Sequence, residues 1–299
     1  MNGSSSNRLY KKFKKTSDQV FTLGLWIITT LILVLIFGLL LYILSKGLPK
    51  ISFSFLVDLP SEIDVGGGVG PFLINSIYVL IISLLISIPI GIGSGVYLAE
   101  YAPNNKMTDF IRTCVESLAS VPSIVIGLFG YMLFVDIFNV GLTIIGAGIT
   151  LSLLNLPVIT RVTEEAIQAV HNDLREASYA LGATKSLTIT KIVISAALNG
   201  IVSGVSLAAC RAFGESALIL LVGGTGTSGE MWDWNFLSQG GTLPVHLWYV
   251  QSEALVEDAS EIAEKTSALL VLITLLLSLS MRLPLWIRDF RFHSKSKKG

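Results

Sequence analysis

Two charged side chains interrupt a long apolar stretch in the last third of the chain. Arg211 and Glu215 stand four residues apart in RAFGESALILLV, a spacing that predicts one face of a helix. An arginine guanidinium can bind two oxygens of an oxyanion at once. A neighbouring carboxylate can accept the proton of a protonated oxyanion and repels an oxyanion without one, such as sulfate. The pair is predicted to line a substrate pathway or, alternatively, only to hold helices together.

A second pair of charges, Arg161 and Glu164, stands three residues apart in LPVITRVTEEAI. The same two interpretations apply, because charges inside apolar segments are costly and mark either pathways or internal ion pairs. The sequence has no cluster of metal ligands, and its three histidines are scattered. It also lacks the glycine loop followed by Lys-Ser or Lys-Thr that holds a nucleotide phosphate. We therefore expect no cofactor and no enzyme activity in this chain.

The elements that carry these charges are predicted to cross a membrane. The chain is 52% hydrophobic and 14% charged, with a mean hydropathy of +0.71. Runs with almost no charge are near or above the roughly 20 residues that a membrane-spanning helix needs. The first run is too long for a secretory signal and lacks a cleavage pattern, so we expect a retained helix. The fold is predicted to be all-α, with six membrane-spanning helices at 21–45, 71–99, 117–135, 137–160, 192–210 and 266–287.

The distribution of lysine and arginine predicts the orientation of these helices. The tail at 1–20 carries Arg8 and four lysines, and the tail at 289–299 carries Arg291 and three lysines. The loop at 223–265 has seven acidic residues and one lysine. Because basic segments stay inside, both tails are predicted to be cytoplasmic and this loop to face outward. We expect a plasma (inner) membrane protein that contacts lipid and no nucleic acid.

Two glycine-rich segments on the predicted outer side, at 65–71 and 222–229, have two interpretations. Backbone N–H groups in such turns can hold an oxyanion. Flexible connections between helices have the same composition. The sequence favours the second interpretation and leaves the first open.

A polar segment between the fourth and fifth spans, HNDLREASYALGATKSLTITKIV, is predicted to be cytoplasmic. Asp173 can cap a helix that starts at Leu174, with Glu176 completing a capping box. Leu174, Ala177 and Leu181 then share one face, and Gly182 suits the C-terminus. A helix this short at 173–182 is marginal alone. Its apolar face is predicted to dock on a partner, on the lipid surface or on its own chain.

The same segment resembles the EAA motif of permease subunits of ATP-binding-cassette (ABC) importers. Glu176, Ala177 and Gly182 match that motif, with Ser178 in place of its second alanine. The resemblance implies a coupling helix that docks in a cleft of an ATPase subunit. It assigns this role to Leu174, Glu176, Ala177, Leu181 and Gly182, and it implies the permease fold of type I ABC importers for residues 71–288.

Other stretches resemble the permeases of phosphate importers, PstA and PstC: PIGIGSGVYLAEY, VPSIVIGLFGY, LPVITRVTEEAI and RAFGESALILLVGGTG. GTLPVHLWY and the short N-terminal region are more similar to PstA. The resemblance implies a prokaryotic phosphate importer with a PstC-like permease, two copies of a PstB-like ATPase that use ATP and Mg²⁺, and a PstS-like binding protein. It also implies that Arg and Glu of RAFGE are important for phosphate passage.

Two alternatives to phosphate import remain open. The chain could be the permease of an ABC importer for another oxyanion, such as molybdate or sulfate, although a carboxylate in RAFGE disfavours an ion without a proton. It could also be a stand-alone channel or an ion-driven transporter. The EAA-like helix argues against the latter.

Overall fold

A computed structural model of the chain describes residues 3–61, 66–253 and 256–296, with side chains from 18 to 283. The described residues form helices, turns and loops, without strands. The helices are α1 (Gly3–Gly47), α2 (Phe53–Val57), α3 (Gly70–Val96), α4 (Lys106–Ala119), α5 (Ser123–Tyr131), α6 (Ile144–Gln168), α7 (Asn172–Ala180), α8 (Lys185–Leu187), α9 (Ile194–Phe213), α10 (Ala217–Val222), α11 (Leu243–Ser252) and α12 (Ala259–Ser296).

Three π-helical stretches and one 3₁₀ turn extend these helices. Tyr97–Tyr101 continues α3, Met132–Ile137 continues α5, and Thr188–Val193 joins α8 to α9. A 3₁₀ turn at Leu48–Lys50 follows α1. The π stretches therefore lie at helix ends and junctions.

Among the described residues, five helical segments are long and apolar enough to cross a membrane. They are Asp18–Lys50, Gly70–Tyr101, Ile144–Gln168, Lys185–Phe213 and Ala259–Leu283. A sixth span results if the bent pair α4 and α5, with the π stretch after α5, counts as one. These elements agree with the predicted six-span, all-α fold.

The third span differs from the straight helix predicted at 117–135. α4 and the α5 segment meet at an angle of 91°, with the break between Ala119 and Ser123. Pro122 occupies the N-cap of α5 with an extended ψ of 135°. Proline has no N–H to donate and disfavours a helical conformation in the residue before it, so the chain turns here.

Other boundaries also differ from the prediction. The fourth span begins at Ile144 rather than 137, because Asn139 and Gly141 adopt positive φ values of 52° and 84° in the preceding turn. Both basic tails continue their neighbouring helices, α1 from Gly3 and α12 to Ser296, instead of forming separate segments. The basic residues therefore do not end these helices.

Helices α3 and α6 form the centre of the bundle. A Cβ added at Gly95 would lie 2.6 Å from the Cβ of Thr163, and one added at Gly91 would lie 2.8 Å from a methyl carbon of Ile159. The two backbones can approach this closely only because the side chains are absent. At mid-height the Asn155 amide donates to the Ser83 hydroxyl at 3.0 Å, and both residues are buried.

The helices around this centre leave large apolar surfaces uncovered. Within Asp18–Lys50, the most apolar window has none of its residues buried, and α1 contacts mainly α12. α12 also packs against α9 and α11. Exposed leucine and isoleucine side chains along α1 are the surface expected of a helix in contact with lipid or with another membrane subunit.

Candidate functional site

The polar segment forms a short helix, α7, at Asn172–Ala180. Its N-cap is His171, and no side-chain hydrogen bond caps it, so the predicted cap at Asp173 is wrong. Asp173 instead lies in the first turn, where its negative charge complements the positive end of the helix dipole. The helix therefore starts two residues earlier than the predicted first residue, Leu174.

The C-terminus of α7 follows the prediction for Gly182. This residue has a φ of +82°, a conformation that glycine adopts without steric cost. The Gly182 N–H donates to the Tyr179 carbonyl at 2.9 Å, and the Ala183 N–H donates to the Ser178 carbonyl at 3.2 Å. This pair of bonds is a Schellman motif, which satisfies carbonyls at the helix end and fixes where α7 stops.

The predicted coupling residues are exposed, three of them in α7 and two in the turn that follows it. Leu174, Glu176, Ala177, Leu181 and Gly182 are all exposed, and Leu181 is 89% accessible. Leu181 is therefore nearly free of contacts with its own chain, whereas Leu174, at 45% accessible, keeps part of them. Docking of this face on a partner, on lipid or on its own chain stays a prediction.

The inner side of α7 is anchored by Arg175, to which the sequence assigned no role, and by Ser178 of the EAA-like motif. The Arg175 guanidinium donates to Glu100 Oε1 from Nε at 3.0 Å and from Nη2 at 2.6 Å. The Ser178 hydroxyl lies 2.8 Å from the Thr188 hydroxyl, and both residues are buried. In the sequence, the carboxylate of Glu100 comes at the end of an apolar run, which indicates that it needs a partner. No residue near it in the sequence identified that partner.

Glu164 lies in a network of charges at the predicted cytoplasmic end of α6. It is 2% exposed, and its Oε1 accepts from Arg112 Nε at 2.7 Å and from Gln168 Nε2 at 3.1 Å. Arg112 belongs to α4, so this ion pair ties α4 to α6. The contacts are those expected from the structural alternative, and the predicted pathway role of Glu164 stays a prediction.

Arg161 lies at the exposed edge of the same network. Its Nε donates to Glu165 at 2.8 Å, and its Nη1 lies 3.1 Å from Glu116 of α4. The distance from Nη1 to Glu164 is 3.9 Å, at the edge of an ion pair. Arg161 is partly exposed and therefore remains accessible to a ligand or a second subunit.

The structure separates Arg211 from Glu215. α9 ends at Phe213, and Gly214 is its C-cap, so the two residues do not share the predicted helix face. No ion pair within 4 Å joins them or engages Arg211 elsewhere in the described part of the chain. Glu215 Oε1 instead accepts the N–H of Leu218, at 3.5 Å, in the first turn of α10. Because the Arg211 side chain is exposed and uncompensated by any described carboxylate, it can bind an anion.

The two glycine-rich segments come together at one cavity of about 100 Å³. Gly67 and Gly68 line it on one side and Gly226 on the other, with Phe72 and His246 between them. No charged side chain is among its described lining residues, so an oxyanion would meet only dipoles here. The structure therefore adds no cation in support of the oxyanion-binding interpretation that the sequence left open.

His246 is the buried polar group of this cavity. Its ring stacks on Phe72 with centroids 4.2 Å apart, and neither ring nitrogen has a hydrogen-bond partner among the described residues. Burial lowers the pKa of His246 from 6.5 to about 4. The imidazole is therefore neutral at physiological pH.

Comparisons with known proteins identify the family. The family model described as "Binding-protein-dependent transport system inner membrane component" matches residues 87–288. The chain is 43% identical to the probable ABC transporter permease protein YqgI of Bacillus subtilis, over 90% of this chain and 95% of that protein. It is 34% identical to the phosphate transport system permease protein PstA of Haemophilus influenzae, over 91% of this chain and 94% of that protein.

Two solved structures share the fold. The MetNI methionine ABC transporter in an inward-facing conformation superposes with a TM-score of 0.55 at 22% identity, covering 72% of this chain and 91% of that chain. A bacterial ABC transporter involved in the import of the acidic polysaccharide alginate superposes with a TM-score of 0.51 at 15% identity, covering 92% and 97%. These likenesses concern the fold, and they confirm the predicted permease architecture.

The residues that resemble an importer permease therefore lie in the expected fold, a helical bundle that crosses the membrane several times. The family match begins within α3, ends within α12 and includes the α7 segment. The chain belongs to the inner membrane components of binding-protein-dependent transport systems, as a multi-pass permease subunit of the ABC importer family and of PstA type.

Proposed function

We propose that this chain is one half of the membrane pathway of an ATP-driven phosphate importer, with a PstC-like permease as the other half. The observation that carries the proposal is similarity over nearly the whole chain to proteins named PstA phosphate transport permeases. α7 supports the ABC mechanism, because its leucines are exposed on a helix whose other side is anchored.

Two copies of a PstB-like ATPase supply the energy by binding and hydrolysing ATP with Mg²⁺. One copy docks on the exposed face of α7 and the other on the second permease. The apolar contact area is small, so docking depends on Leu174 and Leu181 entering a groove, as amphipathic helices do in other complexes. A PstS-like binding protein delivers phosphate to the outer loops.

Arg211 is the residue that binds phosphate in the pathway. Its guanidinium can donate two parallel hydrogen bonds to phosphate oxygens, which a lysine cannot. Glu215 is held at the start of α10 through one carboxylate oxygen. Its other oxygen can accept the proton of a hydrogen phosphate, and this contact disfavours sulfate.

Uptake by the purified, reconstituted complex tests the proposal. Liposomes containing this chain and its three partner proteins should accumulate labelled phosphate when ATP is inside. A complex whose ATPase subunit binds but does not hydrolyse ATP is the matched control and should not accumulate it. Preferential uptake of molybdate or sulfate would assign the chain to another oxyanion importer. Uptake by this chain alone, without ATPase, would establish a channel or an ion-driven transporter instead.

A further inference from the structure

We infer that Arg175 and Glu100 are positioning residues that lock α7 to the cytoplasmic ends of α3 and α6, so that these three helix ends move as one body during coupling. The inference rests on the proposed role of α7 as the ATPase dock. It adds the route by which a displacement of that helix reaches the transmembrane bundle.

We call the contact of Arg175 and Glu100 with the groups that bond to them the clasp, and Arg175 forms its centre. Besides its two bonds to Glu100, its Nη1 donates to the Val170 carbonyl at 2.7 Å and to Asn172 Oδ1 at 3.3 Å, and its Nη2 donates to the Ile167 carbonyl at 3.0 Å. Ile167 lies in the last turn of α6, and Val170 follows the C-cap at Ala169, so both carbonyls are at the helix end where the dipole favours a cation. One guanidinium therefore bonds α6 and the π stretch after α3 at the same time.

Glu100 is held from a second direction. The Lys185 ammonium donates to the Glu100 backbone carbonyl at 2.6 Å and lies 4.8 Å from the centre of the Tyr101 ring. Lys185 begins α8, on the far side of the Gly182 turn from α7. Both ends of the α7 loop are thus fastened to the end of the α3 segment.

The clasp is largely removed from water. The side chains of Arg175 and Glu100 are 15% and 9% exposed. A charge pair at this depth is screened little, and loss of one partner leaves the other without compensation. Arg175 and Glu100 therefore contribute to the internal frame, whereas Leu174 and Leu181 contribute to the docking face. The two sides of one nine-residue helix have separate roles.

The physical need for a clasp follows from the length of α7. A helix of two and a half turns is not stable by itself, and its connections to α6 and α8 are only a few residues long. Without side-chain anchors, a push from the ATPase would bend these connections. With the clasp, the push acts on α3 and α6, whose backbones are in close contact along their lengths.

Variants of Glu100 test the inference in the assembled complex. Glu100→Gln keeps the shape and removes the charge, Glu100→Asp keeps the charge on a shorter side chain, and Lys191→Gln removes an exposed cation nearby as the matched control. We expect phosphate transported per ATP hydrolysed to fall by about 5-fold or more in Glu100→Gln, in the range of typical coupling free energies. Glu100→Asp should lose less, and Lys191→Gln should match the wild type.

Amide hydrogen exchange of α7 gives a readout that needs no substrate. In the nucleotide-free complex, exchange in α7 should accelerate by about tenfold in Glu100→Gln and stay near the wild-type rate in Lys191→Gln. Unchanged exchange, or an unchanged transport-to-hydrolysis ratio, would overturn the inference. An equal loss of hydrolysis and transport in an intact complex would also overturn it, because the pair would then serve docking. If the wild-type complex imports no phosphate, the proposed function fails and the exchange result alone decides the clasp.

Discussion

Arg211 is free to bind an anion because α9 ends between it and Glu215. α9 stops at Phe213, and Glu215 turns to the first backbone N–H groups of α10, so the guanidinium is left without a carboxylate among the described residues. An exposed, uncompensated arginine on an apolar helix is a candidate for an anion site or an inter-subunit contact. Arg161, by contrast, has two carboxylates within 3.1 Å. Of the two predicted arginines, Arg211 is the stronger candidate for the pathway.

Substitutions at Arg211 and Glu215 test this assignment. Arg211→Lys keeps the charge and loses the planar fork, so phosphate transport should fall by about tenfold, the loss of one charged hydrogen bond. Glu215→Gln should lower phosphate uptake and weaken discrimination against sulfate, because the amide can donate to an oxyanion that has no proton. Both variants should assemble normally, as judged by co-purification of the partners. Wild-type phosphate and sulfate uptake in both would leave only a packing role for the pair.

His246 predicts how stability depends on pH. Its pKa is about 4 in the folded chain and near 6.5 when exposed, so between these values the unfolded chain binds a proton that the folded chain does not. This contribution to stability is present above pH 6.5 and is lost as the pH falls toward 4. From pH 7 to pH 5, the wild type should lose about 2 kcal/mol relative to His246→Phe, which cannot titrate.

Unfolding of the two purified proteins in detergent measures this difference. His246→Phe is a suitable comparison because phenylalanine can keep the stack on Phe72. The gap between the unfolding midpoints should widen in favour of His246→Phe as the pH is lowered. Parallel midpoints from pH 7 to pH 5 would contradict a buried neutral imidazole.

At the scale of elements, α7 is a helix with two different sides. Its docking side is readable from the sequence, because the leucines recur at helical spacing and the glycine marks the end. Its anchoring side contacts π-helical stretches, at Glu100 and at Thr188. π-Helical turns often occur at functional sites, and here they lie where α7 is attached to the bundle.

Gly182 offers a test of the docking side. Gly182→Trp places a bulky ring beside Leu181, in space that is open in this chain and that the proposed ATPase would occupy. It should therefore abolish ATP-driven uptake, while the chain still reaches the membrane. Gly182→Ala is the matched control, since it introduces the same unfavourable φ of +82° without the ring, at a cost of about 1 kcal/mol. Uptake should therefore be much lower in Gly182→Trp than in Gly182→Ala. Equal uptake in the two variants would argue against ATPase docking at this helix end.

At the scale of the whole molecule, the long segment before α12 and the α7 segment lie at opposite ends of the bundle. Asp258 of the long segment accepts the Gly66 N–H just before α3. The Ser238 carbonyl accepts the Ile144 N–H at the start of α6. The α7 and α8 segment lies at the other end, with Arg175 and Lys185. The distribution of lysine and arginine in the sequence predicts that the first of these ends faces outward and that α7 faces the cytoplasm.

Cysteine labelling of spheroplasts tests this orientation. In a background with Cys114→Ser and Cys210→Ser, Glu230→Cys should react with an impermeant thiol reagent from outside, whereas Ser186→Cys should react only after the membrane is opened. Both positions are exposed in the isolated chain, so neither depends on access through packed structure. The opposite labelling pattern would invert the topology and would place α7 out of reach of a cytoplasmic ATPase.

The sequence by itself determined the properties that depend on local patterns. Uncharged runs predict the number of spans because each run is about as long as a helix that crosses one bilayer. The exposed face of α7 and the role of Gly182 follow from helical spacing and from the conformational freedom of glycine. These features need no knowledge of which helices are neighbours.

Only the tertiary structure decided the contacts between distant segments. The partner of Arg175 is 75 residues away, the partner of Glu164 in α4 is 52 residues away, and the two glycine-rich segments meet across the bundle. The separation of Arg211 from Glu215 also depends on where α9 ends, although their spacing matched a helix. A charged side chain takes the partner that helix packing brings within about 3 Å. Sequence spacing limits that choice only within a single unbroken helix.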